Sequence, residues 1–312
     1  MYTFTIARNK NDRNIPVTRI ITSEVKILVT GIVKDISRTI DSDILQIENA
    51  LSDFKKVLWF LVESDSKDSS VEKLEKLSKS RENFRYISLG SVQEAGKPRT
   101  IGMATARNVC LEEVESYVPY SEVDYVAVSD FNRLNSKLSV EGIRSCFQNP
   151  MWDACFANQS GRYYDVWALR HPIWSPNDCW QQHAFFREFY RFPELALNAS
   201  IRNRMIHIPK NCNWIEVNSA FGGFGIYKRE TYLLGSYSGI TSEGLPICEH
   251  VPFHEEIRQA GKRLFINPQL INTHATDHSR RMNSLRTFAR MANYPIKILK
   301  VLLIKSRQKT EN

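Results

Sequence analysis

The feature that most constrains the fold is an alternation of apolar runs with stretches of helical spacing over residues 25–130. Residues 36–55, 69–80 and 101–118 have helical spacing or amphipathic character. Strands that alternate with helices form βαβ units, so the sequence predicts an α/β fold whose mostly parallel central sheet is flanked by helices. The predicted buried strands are Val25–Val33, Val57–Glu63, Phe84–Leu89 and Tyr125–Val128.

The second half of the chain has shorter and less regular signals. An aromatic, proline-containing stretch reaches to Pro209, and Gly261 is typical of the residue that follows a helix. No repeat or low-complexity linker is present, which favours a single folded unit over two. Strands are predicted at residues 152–158 and 264–267, a strand, glycine turn and strand at 214–227, and a short helix at 255–260.

Composition narrows the choice of partners and compartment. The 312 residues are 42% hydrophobic and carry a net charge of +8, which fits an anionic partner such as a nucleotide phosphate, a nucleic acid or an acidic membrane face. A basic solvated surface explains the charge equally well. The six cysteines form no CxxC pair, which argues against a zinc cluster and indicates reduced thiols in a cytoplasmic protein. Residues 1–12 are polar and lack the apolar core of a signal peptide.

The C-terminal residues 279–312 form a basic tail in which apolar residues are interleaved. Over residues 280–307 this pattern is typical of a helix lying on an anionic membrane surface, on the inner face of a membrane for a cytoplasmic protein. A C-terminal helix that docks on the core and exposes a basic face fits the pattern equally well. Both interpretations are open.

The predicted strand before Ser129 ends on two oxygen-bearing side chains, Asp130 and Asn132. Hard divalent cations bind such ligands and share them with substrate phosphates. Open α/β sheets bind ligands at the carboxyl edge, where this strand ends. The alternative is a strand that stops in a polar turn, since Asp and Asn favour turns.

Four further groups could carry chemistry, and each has a structural alternative. Glu63 and Asp65 could bind a base or ribose or form a turn, and Arg99 and Arg107 could bind phosphates or lie on the surface. The glycines around Gly223 allow close approach of a ligand or form a hairpin turn. The fourth group holds Glu249, a candidate general base, and His274, a candidate metal ligand. Lone residues of these types are more often structural.

The order of these groups resembles family-2-like glycosyltransferases with the GT-A fold, over roughly residues 25–278. That layout has a nucleotide-binding half (25–135), an acceptor half (136–278), a lead-in here over 1–24, and the basic tail. Residues 62–65 match the segment that binds the nucleoside, and Arg99 with Arg107-Asn108 matches the arginine segment. Residues 129–132 occupy the position of the acidic DxD motif, and residues 220–229 match the strand before the catalytic helix. Glu249-His250 occupies the position of the ED motif, and Thr273-His274 that of the metal-binding histidine.

The resemblance implies a role for each matching residue. Glu249 would be the catalytic base, and Asp130, Asn132 and His274 would hold Mn²⁺ or Mg²⁺. The third DxD position, Asn132, keeps an oxygen ligand but lacks the charge, and the ED motif reads Glu-His. The donor nucleotide sugar would contact Glu63, Asp65, Arg99, Arg107, Asp130 and Gly223.

A segment at residues 161–170 is similar to one in capsule-associated mannosyltransferases. This implies that Tyr164, Asp165 and Trp167, together with His250, lie near the donor sugar or the acceptor. The alternative for Trp167 is packing on a strand. Family-2-like enzymes invert the anomeric configuration and the capsule enzymes retain it, so the stereochemistry is open.

The implied function is transfer of a hexose from a nucleotide diphosphate sugar to a hydroxyl of a glycan or glycolipid, in surface polysaccharide synthesis. A catalytically inactive carbohydrate- or nucleotide-binding scaffold of the same fold is the alternative. A sugar nucleotidyltransferase should have a glycine-rich basic loop after its first strand, and residues 30–35 hold one glycine. Nucleic-acid binding is disfavoured by the acidic loop at residues 63–68.

Overall fold

The computed structural model describes residues 22–149 and 151–274. The predicted basic tail, with its possible membrane contact at residues 280–307, lies outside the described residues, as does nearly all of the lead-in.

The described residues form one eight-stranded sheet in the order β3-β2-β1-β4-β7-β5-β8-β6. The strands are β1 Lys26–Val33, β2 Lys56–Glu63, β3 Phe84–Ser88, β4 Tyr125–Ser129, β5 Ala154–Gln159, β6 Ile215–Val217, β7 Phe224–Lys228 and β8 Leu264–Thr273. The helices are α1 Ile40–Ala50, α2 Ser70–Ser80, α3 Arg99–Ser116, α4 Val140–Phe147, α5 Cys179–Phe189, α6 Pro193–Ser200, α7 Arg229–Tyr232 and α8 His250–Gln259.

The first half of the chain forms the parallel part of the sheet. Strands β3, β2, β1 and β4 pair in parallel, joined by the helical connections that the sequence pattern predicts. Strand β1 is buried at six of its eight positions, as expected for a strand covered on both faces. The α/β class and the order of elements in this half are therefore confirmed.

The second half extends the same sheet with a change of direction. Strand β7 pairs antiparallel with both β4 and β5, β5 pairs parallel with β8, and β6 closes the edge antiparallel to β8. Strands β6 and β7 do not pair with each other, so the predicted strand, glycine turn and strand is not a hairpin. The glycine turn instead lies where β7 enters the middle of the sheet.

Helices cover both faces of the sheet, each over its own apolar cluster. One cluster includes Ile44 of α1, Leu74 of α2 and Phe147 of α4. The other includes Val114 of α3 and Phe253 of α8. Within the described residues, this arrangement buries both faces of the central strands, which favours a ligand site where the strands end.

Several elements differ from their predictions. Helix α8 begins at His250 rather than at residue 255, because Pro252 lies in its first turn, where a backbone N–H has no helical partner. Strand β8 continues past Pro268 to Thr273, with a register shift against β5 that accommodates the proline. Helices α4, α5, α6 and α7 were not predicted.

Cysteine state and membrane-spanning potential are two further properties of the structure. All six cysteines are free, and five of them are buried. Within residues 22–149 and 151–274, no helix is both long and apolar enough to cross a membrane.

Candidate active site

Asp130 and the glycine turn meet because an antiparallel strand starts where its neighbour ends. Asp130 follows the last residue of β4, and its backbone N–H donates to the carbonyl of Gly223, just before β7, at 2.9 Å. The Asn135 amide donates to the Asp130 carbonyl at 2.7 Å and to the Ser129 hydroxyl at 2.9 Å. The backbone of Asp130 is thus fixed from two sides, while its side chain remains 32% exposed.

Arg107 of α3 joins two of the predicted site residues. Its Nε donates to Oε1 of Glu249 at 2.8 Å, and its Nη2 lies 3.3 Å from Oδ1 of Asp130. The guanidinium also lies 5.2 Å from the centre of the Phe221 ring. The side chains of Arg107 and Glu249 are each only 3% exposed, so this ion pair is buried.

Negative charge exceeds positive charge around this arginine. Burial raises the pKa of Asp130 to about 6, Arg107 opposes the rise, and the carboxylates of Asp165 and Glu249 add to it. Burial likewise raises the pKa of Asp165, whose charge also interacts with Glu249 and Arg107. Three carboxylates therefore share one arginine, and we call these four residues the acidic cluster. A cation that entered it would be stabilised.

The glycine turn brings Tyr164 and Asp165 to the same place. Gly222 and Gly223 have φ values of 71° and 89°, which favour glycine. The N–H of Gly222 donates to Oδ2 of Asp165 at 2.9 Å. A Cβ at Gly223 would lie 2.8 Å from the Tyr164 hydroxyl and 3.9 Å from Oδ2 of Asp130. Gly223 is thus in close contact with Tyr164, and the predicted approach of a ligand at this glycine stays a prediction.

The segment after Asp130 is held by a residue that the sequence analysis did not identify. Asn132 and Arg133 have φ values of 61° and 63°, uncommon for residues with side chains. Both of their N–H groups donate to the carboxylate of Asp43 on α1, each at 3.0 Å. The side-chain oxygen of Asn132 accepts from the Thr39 hydroxyl at 3.3 Å. The sequence signal that could have identified Asp43 is its position among the apolar residues on the buried face of α1.

The predicted metal ligands do not form a complete site by themselves. Among the described residues, no three His, Cys, Asp or Glu side chains are grouped so that they could hold a metal ion. His274 lies just after β8, where its Nδ1 is 3.0 Å from the Ser160 hydroxyl. Asp130 and Asp165 are close enough for their charges to interact.

The predicted nucleoside residues lie at the end of β2, two strands from β4 in the sheet. Glu63 is buried and accepts hydrogen bonds from the Ser66 N–H and the Ser88 hydroxyl. Asp65 accepts from the N–H groups of Val92 and Gln93 at 3.2 and 3.1 Å. Both carboxylates therefore shape the neighbouring loops.

Arg99 is the first residue of α3. Its guanidinium is exposed, and it forms no ion pair with a carboxylate of the described ranges. It therefore keeps its donors available.

His250 and Trp167 are placed by packing. The His250 ring stacks on Phe221 at 4.0 Å between centroids, and neither ring nitrogen has a hydrogen-bond partner in the described structure. Burial lowers the pKa of His250 well below its usual range, so the ring is neutral. The Trp167 indole donates to Asp178 at 3.1 Å, and Asp178 also caps α5.

No known family model matches this chain, and no curated protein does. Many solved structures are similar to this chain, among them the following three. A mannosyltransferase from Pyrobaculum calidifontis, solved with GDP-Man and Mn²⁺, is 12% identical over 85% of this chain and 61% of its own, with a TM-score of 0.45. S. aureus TarS (residues 1–349) is 12% identical over 80% and 60%, with a TM-score of 0.43.

GalNAc-T7, solved with UDP, GalNAc and Mn²⁺, is 13% identical over 80% of this chain and 44% of its own, with a TM-score of 0.44. The structural neighbours are GT-A glycosyltransferases. This chain spans between 44% and 61% of the length of these three proteins. With TM-scores of 0.45 or below, the likeness concerns the general path of the chain and transfers neither activity nor ligands.

Proposed function

We propose that this chain is a glycosyltransferase that moves a hexose from a nucleotide diphosphate sugar to a hydroxyl of a glycan or glycolipid, in surface polysaccharide synthesis. The observation that supports this best is the acidic cluster at the end of β4, next to a glycine turn. The cluster has a surplus of negative charge beside an accessible carboxylate, which suits a divalent cation that carries a diphosphate.

The donor would bind along the carboxyl edges of β2, β1 and β4. When bound, Mn²⁺ or Mg²⁺ would stabilise negative charge on the departing nucleotide diphosphate. Asp130 would be its main protein ligand, with Asn132 and His274 as the further candidates from the motif. Arg99 would contact the phosphates from the first residue of α3, because its guanidinium is exposed and its planar donors match phosphate oxygens. Glu63 and Asp65 would shape the nucleoside end through the loops that they hold.

Two carboxylates are candidates for the base that accepts the proton of the acceptor hydroxyl. Glu249 has the motif position, but it is buried and paired with Arg107. Asp165 lies beside Tyr164, and burial raises its pKa, which favours uptake of a proton. If Glu249 is the base, Glu249→Gln abolishes transfer and Asp165→Asn spares most of it. The reverse result assigns the base to Asp165 and leaves Glu249 to orient Arg107.

A catalytically inactive binding protein of the same fold is the second candidate. The buried ion pair of Glu249 and the buried, neutral His250 at the ED position favour it. Such a protein would bind nucleotide diphosphates and yet release none from a sugar donor. Release of nucleotide diphosphate from UDP- and GDP-sugars, with and without a glycan acceptor, therefore separates the two functions.

Donor binding is tested by thermal shift with UDP or GDP in the presence and absence of Mn²⁺, because a ligand that binds only the folded state raises Tm. We expect a rise in Tm that needs both nucleotide and metal and that Asp130→Asn removes. Asp41→Asn is the matched control, since Asp41 is an exposed carboxylate on α1 whose side chain is 67% accessible. No metal-dependent shift with any nucleotide, or equal shifts in both variants, would contradict the proposed donor site.

A further inference from the structure

Helix α5 is well formed and packs against α6, but it leaves nearly all of its residues at least partly exposed. Its N-terminus is capped by Asp178, which accepts hydrogen bonds from the N–H groups of Trp180 and Gln181. Of its 11 residues, only Cys179 is buried. Most helices of a globular protein owe their stability to an apolar face turned to the core, and α5 directs its apolar residues elsewhere.

Four rings along this helix form one continuous apolar surface. Phe185 lies 4.8 Å from Phe189 and 6.0 Å from Phe186, and Phe186 lies 5.6 Å from Tyr190, as measured between ring centroids. The spacing of four residues places Phe185 with Phe189, and Phe186 with Tyr190, on the same side of a helix. We call these four residues the aromatic patch. Phe185, Phe189 and Tyr190 are 57%, 69% and 40% exposed.

The exposure of these rings has a substantial free-energy cost. An aromatic side chain buries about 150–250 Å², and apolar burial contributes about 25 cal/mol per Å². Covering most of the aromatic patch would therefore favour association. Isolated apolar residues on a surface are common, whereas a continuous group of rings marks an interaction site.

The charges beside the aromatic patch indicate the kind of partner. Arg187 and Arg191 lie in the same segment, and neither forms an ion pair with a carboxylate of the part of the chain described here. Glu188 offsets one of these charges, which leaves the segment net positive, as is the whole chain at +8. Phenylalanine rings with adjacent arginines are typical of helices that lie in a membrane interface, with the rings at the acyl boundary and the guanidinium groups among the headgroups.

We propose that the aromatic patch inserts into the surface of an anionic lipid bilayer. Phenylalanine rings have no hydrogen-bonding groups for a polar partner, and their free energy is lowest in the acyl boundary. The two arginines would contact lipid phosphates. The contact is peripheral, because α5 is too short to cross a bilayer. It involves described residues only and is separate from the membrane contact predicted for residues 280–307.

The test is co-sedimentation of the full chain with vesicles of phosphatidylcholine alone or mixed with phosphatidylglycerol. We expect binding to the mixed vesicles and at least a tenfold loss of affinity in the triple variant Phe185→Ser, Phe189→Ser, Tyr190→Ser. The matched control is Leu45→Ser with Val118→Ser, at positions 59% and 78% exposed on other helical segments, which should bind as the unchanged chain does. Circular dichroism confirms that both variants fold.

Three results would overturn this proposal. The first is binding of the triple variant to mixed vesicles with unchanged affinity. The second is the absence of vesicle binding by the unchanged chain. The third is a concentration-dependent dimer, seen by sedimentation velocity, that the triple variant abolishes, since a second copy would then cover the aromatic patch. Glycosyl transfer to a soluble acceptor should be equal in the triple variant and the unchanged chain, so this test is independent of the proposed function.

Discussion

Replacement of Arg107 by methionine should destabilise the folded protein strongly. Methionine keeps much of the side-chain volume but leaves Glu249 without its 2.8 Å partner and Asp130 without its 3.3 Å contact. Loss of one member of a buried ion pair typically costs about 3–5 kcal/mol, because the remaining charge stays buried and unpaired. We expect a loss in that range in the free energy of unfolding at pH 8, measured by urea denaturation with circular dichroism.

The loss in free energy of unfolding caused by Arg107→Met should be smaller in acid, because the carboxylates around Arg107 become protonated. The pKa of Asp130 is about 6 even with Arg107 present, and Arg107 lowers it, so Arg107→Met raises it further. Near pH 5 the carboxyl is then protonated and needs no cationic partner. The destabilisation by Arg107→Met should therefore be smaller at pH 5 than at pH 8.

A double-mutant cycle tests the reasoning directly. In a Glu249→Gln background one of the two buried charges is already neutral, so Arg107→Met should cost clearly less than in the unchanged chain. Arg144→Met is the control, because Arg144 pairs with Asp53 while its own side chain is 54% exposed, and exposed pairs contribute at most about 1 kcal/mol. If Arg107→Met costs no more than this control, or costs the same in both backgrounds, the buried pair is not what stabilises the cluster.

Two further predictions concern His254 and Asp43. Burial lowers the pKa of His254 from 6.5 to about 3, so its contribution is constant above pH 6.5 and is lost progressively as the pH falls towards 3. Between pH 7.5 and 4.5 the unchanged chain should therefore lose roughly 2–3 kcal/mol more of its free energy of unfolding than His254→Gln does, as measured by urea denaturation. Identical pH profiles of the two proteins would refute this. Asp43→Ala should release the left-handed backbone of Asn132 and Arg133, whose strain is about 1–3 kcal/mol for each residue. Faster hydrogen exchange at residues 131–134, absent in the Asp41→Ala control, is the expected result, and unchanged exchange would count against the clamp.

The first half of the fold was predictable because its signals are local. Strands β1, β2 and β4 are largely apolar runs, and the helices between them have their apolar residues at helical spacing. Helix α5 gave no such signal, since its apolar residues face away from the core. The direction of β7 was not predictable either, because a five-residue strand reads the same whether its neighbours run parallel or antiparallel.

The candidate site was predictable in its residue types and not in its contacts. Polar residues at strand ends indicated Asp130 and the glycine turn. The pairing of Arg107 with Glu249 joins residues 142 positions apart in the sequence, and nothing local specifies it. Asp43 shows the same limit: a carboxylate within a helical pattern is usually solvated, and only the fold shows that it holds Asn132 and Arg133.

The position of β7 also determines how the protein can fold. Strand β4 has β1 on one side and β7 on the other, and about 100 residues separate β4 from β7 along the chain. Until β7 pairs, the edge of the fully buried β4 is open, and an open apolar edge is a template for aggregation. Slow folding and loss of soluble protein should therefore be the first consequence of any change that delays β7. Since Asp130 hydrogen-bonds to Gly223 at this same junction, the ligand site is completed only when the sheet is.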